Sequence, residues 1–197
     1  MLRSANPIQT WWVTSALALI CFCDIGKCQQ YFPPNSFNDF AVKWYTSELT
    51  AFQEPSIWEL SKSSDAEVYR LLWLRSFHNP IAIRLTVQGD GSAQLIAKTL
   101  TNEGFPTPGK LVKNQTIQLS KDHVRWFLEE IDQLKYWELK SAVGNGCDGA
   151  EWILEGAKNH KYNVVRQWSP ERGPIRTLGS MMLFEMARLK IPPNQIY

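Results

Sequence analysis

Hydrophobic and polar positions alternate through the middle of the chain with the period of a β-strand. In segment 80–88, apolar residues occupy every second position, so one face of a strand would be buried and the other would meet solvent. Segments 68–77 and 92–100 are also strand-like, and the Gly-Asp-Gly sequence at 89–91 supplies the positive φ angles of a tight hairpin. These three segments predict an antiparallel meander.

Apolar residues with helical spacing predict three helices. The first covers about 38–52 and has Asn38 or Asp39 at its cap. The second, at 120–137, carries the clearest apolar stripe in the chain. The third covers about 177–189 and ends before a Pro-Pro pair.

The remaining segments complete an α+β pattern. A short strand is expected near 116–119, and strands 151–158 and 161–168 are expected to form a second hairpin. No repeat, charge block or change of composition divides this part of the chain. We therefore expect one α+β domain at 38–197, with an antiparallel sheet of five to six strands and two to three helices packed mainly on one face.

The first 28 residues differ from the rest of the chain. Arg3 provides a positive charge, and residues 11–23 form an uncharged apolar run that has the length of a secretory signal core rather than of a membrane span. We expect residues 1–28 to be a signal peptide that is removed, followed by a short leader at 29–37. The protein is thus predicted to be exported to the periplasm or the medium. An uncleaved N-terminal membrane anchor is the alternative.

Composition and charge narrow the functional classes. Hydrophobic residues make up 44% of the chain and charged residues 20%, which excludes a disordered polar chain. From residue 29 onward there are 19 basic and 18 acidic residues, because Arg3, Lys27 and Asp24 precede that point. A near-neutral domain without a basic stripe is not expected to bind nucleic acid.

Cys147 is the one cysteine that remains after residue 28, so no internal disulfide is expected. It is a candidate reactive thiol if a histidine approaches it, although a structural cysteine is the favoured interpretation. The sequence has no serine-hydrolase, zinc-protease or paired-cysteine motif, and we expect no metal and no cofactor. The Gly-rich turn 144–149 is predicted to follow a helix, whereas a phosphate-binding loop precedes one. This turn is therefore not expected to bind phosphate.

The hairpin at 151–168 yields a candidate binding patch. If residues 159–160 form its turn, one face of the hairpin carries four side chains suited to a polar ligand: Glu155, Tyr162, Arg166 and Trp168. The aromatic rings would stack on the ligand, and Arg166 would hold an acidic group. The structural alternative is a Glu155–Arg166 ion pair on a half-exposed sheet.

The spacing of two glutamates argues against one kind of hydrolase. Glu151 and Glu155 are four residues apart on an extended strand, which separates them by about 13 Å. The paired carboxylates of glycosidases lie about 5 to 9.5 Å apart. This pair is therefore not expected to hydrolyse glycosides.

Two segments resemble a group of uncharacterised bacterial exported proteins. They are DGAEWILEG at 148–156, which continues through 162–170, and WLRSFHNP at 73–80. The resemblance covers about residues 69–197 and implies a bacterial origin and export. The resemblance implies no activity and no site residues. Within the shared segments, Asp148, Arg166 and Trp168 are the residues to test first.

The absence of a complete catalytic motif favours a non-enzymatic binding or interaction module, with a protein, a peptide or a glycan of the cell envelope as its partner. The alternative is a small periplasmic or secreted hydrolase whose site is assembled from separate strands. The domain is rich in tryptophan, and Trp44 is expected to pack in the core. Trp126 lies off the apolar face of its helix and is expected to be exposed.

Overall fold

Six antiparallel strands form one sheet in the computed structural model, which describes residues 29–142, 144, 146 and 148–197. The predicted signal peptide at 1–28 and Cys147 lie outside the described residues. The strands are β1 (Val68–Arg75), β2 (Ile81–Val87), β3 (Ala93–Leu100), β4 (Leu111–Leu119), β5 (Ala150–Lys158) and β6 (Lys161–Trp168). Their order across the sheet is β4-β3-β2-β1-β5-β6.

Strand β1 lies near the middle of the sheet, and all of its residues are buried. It pairs with β2 along one edge and with β5 along the other, so that Trp73 lies between Ile81 and Trp152. Its side chains define two faces. The first face carries Arg70, Leu72 and Leu74, and the second face carries Tyr69, Leu71 and Trp73.

Helices cover both faces of the sheet. On the first face lie α1 (Asp39–Ala51) and α2 (Ile57–Ser63), which pack against Leu72 and Val68 respectively. On the second face lie α3 (Lys121–Gln133) and α4 (Pro174–Ser180), the latter continuing into a π-helical segment, Met181–Met186.

The predicted α+β class is confirmed, and the antiparallel sheet has six strands. Two details of the prediction differ: the described residues form four α-helices rather than two to three, and these are divided between the two faces rather than packed mainly on one. Both faces of β1 and β5 are buried, so each needs a covering layer. The first helix is capped as expected: the side chain of Asn38 accepts a hydrogen bond of 2.8 Å from the Ala41 backbone N–H.

Two elements were missed or shortened by the sequence pattern. Helix α2 begins after Ser56, whose hydroxyl accepts a hydrogen bond of 3.1 Å from the backbone N–H of Glu59. Its seven residues make too few turns to show a periodic stripe. Strand β4 begins at Leu111 rather than near 116, because an edge strand with mostly exposed residues has a weak apolar pattern.

Residues 29–37, which were predicted to be a leader, pack against α1. Tyr31 and Phe32 are buried in the core of the first face. The ring of Phe32 lies 5.3 Å from that of Phe37 and 6.2 Å from that of Tyr45. The hydroxyl of Tyr31 donates to the main-chain oxygen of Glu54 at 3.0 Å. This segment therefore contributes apolar surface to the domain.

Two tryptophans occupy the centre of the second face. The rings of Trp73 and Trp152 lie 4.9 Å apart. Their indole N–H groups both donate to the main-chain oxygen of Tyr197, at 3.3 and 2.8 Å. The core thereby satisfies the polar atom of each large aromatic side chain.

Gly156 of β5 leaves room for a tyrosine ring. A Cβ atom at Gly156 would lie 2.7 Å from Cε1 of Tyr136 and 3.1 Å from Cδ1 of Tyr69. We predict that Gly156→Ala lowers the free energy of unfolding by about 1–3 kcal/mol, because an overpacked core must shift. Urea denaturation measures the change. Gly89→Ala is the control, since a Cβ there meets nothing within 4 Å; equal stability of the two variants would contradict this account.

Candidate functional site

The β5–β6 hairpin has the predicted register. Asn159 and His160 form its turn with φ angles of 49° and 60°, and Glu155 lies opposite Val164. The four predicted patch residues therefore share the first face of the sheet. The structure nevertheless divides them between two places: Glu155 lies in a buried ion cluster and is bonded to Tyr162, whereas Arg166 and Trp168 lie at a cleft.

Glu155 pairs with Arg70, so the prediction of a Glu155–Arg166 salt bridge is wrong. The carboxylate of Glu155 accepts hydrogen bonds from Nε of Arg70 at 2.8 Å, from Nη2 of the same guanidinium, and from the hydroxyl of Tyr162 at 2.8 Å. Arg70 lies directly opposite Glu155 in the sheet, which is closer than the diagonal position of Arg166. Both members of the pair are inaccessible to solvent.

Glu54, in the turn between α1 and α2, completes the ion cluster. Its Oε1 lies 2.8 Å from Nζ of Lys98, and its Oε2 lies 2.8 Å from Nε of Arg84 and 3.6 Å from Nη1 of Arg70. The ion cluster is thus Glu54, Arg70, Arg84, Lys98 and Glu155, and it joins four strands to the helical turn.

The cations of the ion cluster also bind the backbone of that turn. Nζ of Lys98 donates to the main-chain oxygens of Phe52 and Gln53 at 2.9 and 3.0 Å. Nη1 of Arg70 donates to the main-chain oxygen of Pro55 at 2.7 Å. These bonds satisfy carbonyl groups where α1 ends and fix α1 on the first face.

We predict that Glu155→Gln lowers the free energy of unfolding by about 3–5 kcal/mol, because the charge of Arg70 then stays buried without its closest partner. The matched change Glu59→Gln removes a carboxylate whose partner, Lys62, is well exposed. That change is expected to cost less than about 1 kcal/mol. Urea unfolding compares the two variants, and equal losses would contradict a structural role for the ion cluster.

A cleft opens at the end of the first face, where β1 and β6 end and β5 begins. It contains two adjoining cavities of about 420 and 190 Å³, and Phe40, Trp44 and Trp168 line both. The larger cavity is bordered by residues 101–109, and the smaller one is lined by Glu151 and Arg166. We call the whole the end cleft, and its two parts the large and the small chamber.

Aromatic rings form much of the wall of the large chamber. The ring of Phe105 lies 5.1 Å from that of Trp44 and 5.5 Å from that of Phe40. Phe40, Phe77 and Phe105 line the chamber, yet they are 61%, 64% and 59% exposed. Exposed apolar side chains around a concave surface are typical of a binding site.

Glu48 of α1 brings a buried carboxyl group to the large chamber. The residue is 5% exposed, and its carboxyl group is hydrogen-bonded to the side chain of Trp44, one helical turn earlier. Its Oε2 has no hydrogen-bond partner among the described residues. Burial raises the pKa of Glu48 to about 7, although the Trp44 hydrogen bond acts to lower it. This carboxyl group therefore titrates near neutral pH.

Glu151 of β5 brings a second carboxyl group to the small chamber. Its Oε1 lies 3.5 Å from Nη1 of Arg166, and it is hydrogen-bonded to Tyr45. In the described part of the chain, Oε2 of Glu151 has no partner. Burial raises the pKa of Glu151, and the positive charge of Arg166 opposes that shift. Burial and the charge of Glu151 raise the pKa of Tyr45, so its hydroxyl stays protonated.

Gly144, Gly146 and Gly149 lie against Arg166 and Trp168 at the cleft. Nη2 of Arg166 donates to the main-chain oxygen of Gly144 at 2.7 Å. A Cβ atom at either Gly146 or Gly149 would lie 2.7 Å from a ring carbon of Trp168. Glycine at these two positions therefore lets their backbone pack closely against the indole.

Arg75 contributes to the lining of the large chamber, but its guanidinium is directed elsewhere. Its Nε and Nη2 donate to the main-chain oxygen of Asn79 at 3.1 and 2.6 Å, and the group lies 4.5 Å from the ring of Trp73 on the second face. Burial lowers the pKa of Arg75 to about 10, so it remains positive at neutral pH. The acidic residues of the large chamber are Glu48 and Glu103.

Sequence reasoning placed two of the cleft residues, Arg166 and Trp168, in a candidate site and missed the others. Trp44 was expected to pack only in the core, and it lines both chambers. Glu48 was not singled out, although one signal was present: it is an acidic residue on the stripe of α1 that also carries Tyr45 and Leu49. A carboxyl group on an otherwise apolar stripe indicates either a buried partner or a site.

Glu48 is predicted to make the domain less stable as the pH rises. Its pKa is about 7 in the folded protein against an ordinary value of 4.5, so the folded state binds this proton more tightly. The stabilising contribution is complete below about pH 4.5 and is lost as the pH approaches 7. Between pH 5 and pH 7.5, we expect the wild type to lose about 2 kcal/mol of unfolding free energy relative to Glu48→Gln. Urea denaturation at both pH values measures this loss, and parallel pH profiles of the two proteins would contradict it.

Within the described ranges, no group of three or more His, Cys, Asp or Glu side chains is placed to hold a metal ion. None of the helices in this part of the chain has both the length and the apolar character needed to cross a membrane. In comparisons with known proteins, the chain matches no family model and no curated protein. The geometry of the end cleft is therefore the basis for a functional proposal.

Proposed function

We propose that the protein is an exported, non-enzymatic binding module whose end cleft takes a ligand with an apolar body and a polar group. The proposal depends on one observation: Glu48 lines an aromatic cavity of about 420 Å³, and its buried Oε2 has no partner among the described residues. A buried polar atom without a partner costs free energy, and a ligand that supplies the missing hydrogen bond removes that cost. The cavity volume falls in the range of small-molecule sites.

The position of the ion cluster supports a preformed site. Helix α1 carries Trp44 and Glu48, and the turn at its end is bound to the sheet by Lys98 and Arg70. A side chain on a fixed helix loses less conformational freedom when it contacts a ligand than a side chain on a loop. Binding at the end cleft is therefore expected to require little rearrangement of α1.

Export remains part of the proposal because of the sequence of residues 1–28 and the resemblance to bacterial exported proteins. In the periplasm or the medium, the partner would be a small molecule, or a group on a peptide or a glycan of the cell envelope. An N-terminal membrane anchor is the alternative arrangement. Mass spectrometry of the mature N-terminus separates the two forms.

A small hydrolase is the second candidate, and the observation that favours it is the pair of buried carboxyl groups in the end cleft. Glu48 titrates near pH 7, which suits a general acid, and Glu151 lies in the adjoining chamber. Glu155 belongs to the ion cluster and lines neither chamber. Hydrolysis of a glycan or peptide substrate that is lost in both Glu48→Gln and Glu151→Gln would favour the hydrolase over the binding module.

We predict that isothermal titration detects binding of at least one small probe at the end cleft. The probes are benzylammonium, benzyl alcohol, benzoate, methyl glucoside and an amidated tripeptide. Trp168→Leu is expected to weaken that binding about tenfold, because the indole lines both chambers and contributes a large apolar contact.

Trp126→Leu is the matched control, since this residue is 43% exposed on α3 and lies off the cleft. The Trp126→Leu variant is expected to bind the probe with the same affinity as the wild type. Circular dichroism checks that both variants are folded. Absence of binding for every probe, or equal weakening by the two substitutions, would overturn the proposed function.

A further inference from the structure

We infer that the ligand of the end cleft is an organic ammonium ion with an apolar body, held by the carboxylate of Glu48 against the rings of Trp44 and Phe105. The inference rests on the proposed binding function and names its ligand class. It depends on the charges that face the large chamber, on the unpartnered oxygen of Glu48 and on the aromatic wall.

The charged groups of the end cleft favour a cation in the large chamber. Glu48 and Glu103 line this chamber. Arg75 also lines it, but its guanidinium is bound to the main-chain oxygen of Asn79 and lies against the ring of Trp73, and its Nη1 is buried without a hydrogen-bond partner among the described residues. In the small chamber, Arg166 already contacts Glu151, Tyr45 and the main-chain oxygen of Gly144. An anionic ligand would meet the carboxylates first, whereas a cation would be attracted to them.

The aromatic wall suits the same ligand. A cation within about 6 Å of an indole face is attracted by the ring electrons, and tryptophan is the most effective partner. An ammonium N–H that donates to the carboxylate of Glu48 would form a charge-assisted hydrogen bond, which is stronger than the bond of a neutral alcohol. The exposed rings of Phe40 and Phe105 are placed to cover an apolar body attached to the ammonium.

The titration of Glu48 gives this ligand class a distinct pH dependence. The other ionisable groups that line the large chamber are Arg75 from β1 and Glu103 from residues 101–109; those of the small chamber are Tyr45, Glu151 and Arg166. Since the pKa of Glu48 is about 7, the ionised fraction of this carboxyl group rises about tenfold between pH 6 and pH 8. The affinity for an ammonium ion follows that fraction, and the affinity for a neutral alcohol does not.

The test compares three probes of one shape and different charge: benzylammonium, benzyl alcohol and benzoate. Isothermal titration at pH 8 is expected to show benzylammonium binding at least about tenfold more tightly than benzyl alcohol, with benzoate weaker still. Lowering the pH from 8 to 6 is expected to weaken benzylammonium binding about tenfold and to leave the alcohol unchanged.

Glu48→Gln isolates the charge of the carboxylate while it keeps the size of the side chain. We expect this variant to bind benzylammonium and benzyl alcohol with similar affinity at both pH values. The matched control is Glu129→Gln, which removes an exposed carboxylate from α3 on the opposite side of the sheet. The control is expected to keep the preference for benzylammonium and its pH dependence.

The outcomes separate this inference from the proposed function. Tighter binding of benzyl alcohol or benzoate than of benzylammonium would overturn the ammonium class and leave a binding module. A Glu48→Gln protein that retains the preference would also overturn it. Absence of binding for all three probes would overturn both this inference and small-ligand binding through Glu48.

The same ammonium group occurs on free amines and at peptide N-termini. An amidated peptide that begins with phenylalanine, compared with its N-acetylated form, distinguishes the two sources. If the unacetylated peptide binds more tightly than benzylammonium, the source is a peptide N-terminus. If benzylammonium binds more tightly, the source is a free amine. An N-acetylated peptide that binds as tightly as the unacetylated one would contradict the ammonium class.

Discussion

The buried ion cluster is the constraint on which the arrangement of the first face depends. Arg70 and Glu155 are inaccessible to solvent in the middle of the sheet, and Glu54 reaches them from the turn between α1 and α2. Charges so deeply buried are tolerated only when nearly every charged atom has a partner. The partners here come from four strands and from main-chain oxygens of the helical turn, so the position of α1 is set by charge pairing as well as by apolar packing.

The ion cluster and the end cleft use the same residue types on the same face, but they differ in how completely the carboxyl oxygens are paired. Both oxygens of Glu54 and both oxygens of Glu155 contact a donor. Glu48 and Glu151 each keep one buried oxygen for which the described residues offer no donor. A protein that pairs its buried charges so fully in one place and leaves two acceptors unpaired beside an aromatic cavity has a structure suited to an external donor.

Local patterns in the sequence predicted the parts of the structure that depend on neighbouring residues. The turn at Asn159 and His160, together with the alternation along 151–168, fixed the register of the hairpin and its shared face. The ion pair could not be predicted in the same way, because Arg70 and Glu155 are 85 residues apart. The end cleft was missed for a related reason, because Glu48 and the loop that carries Phe105 come together only in the tertiary fold. In addition, α2 has only seven residues and shows no periodic pattern, so the turn between α1 and α2 could not be placed from the sequence.

The unpaired carboxyl group of Glu48 links the stability of the domain to its proposed function. Its cost to the folded state is greatest when the group is ionised, which is also the state in which it attracts a cation most strongly. Two apolar cores and the ion cluster stabilise the sheet away from the cleft, so the domain can retain one unfavourable group without unfolding. A bound ammonium ion would neutralise that group and supply its missing hydrogen bond, and ligand affinity and folding stability would then rise from the same contact.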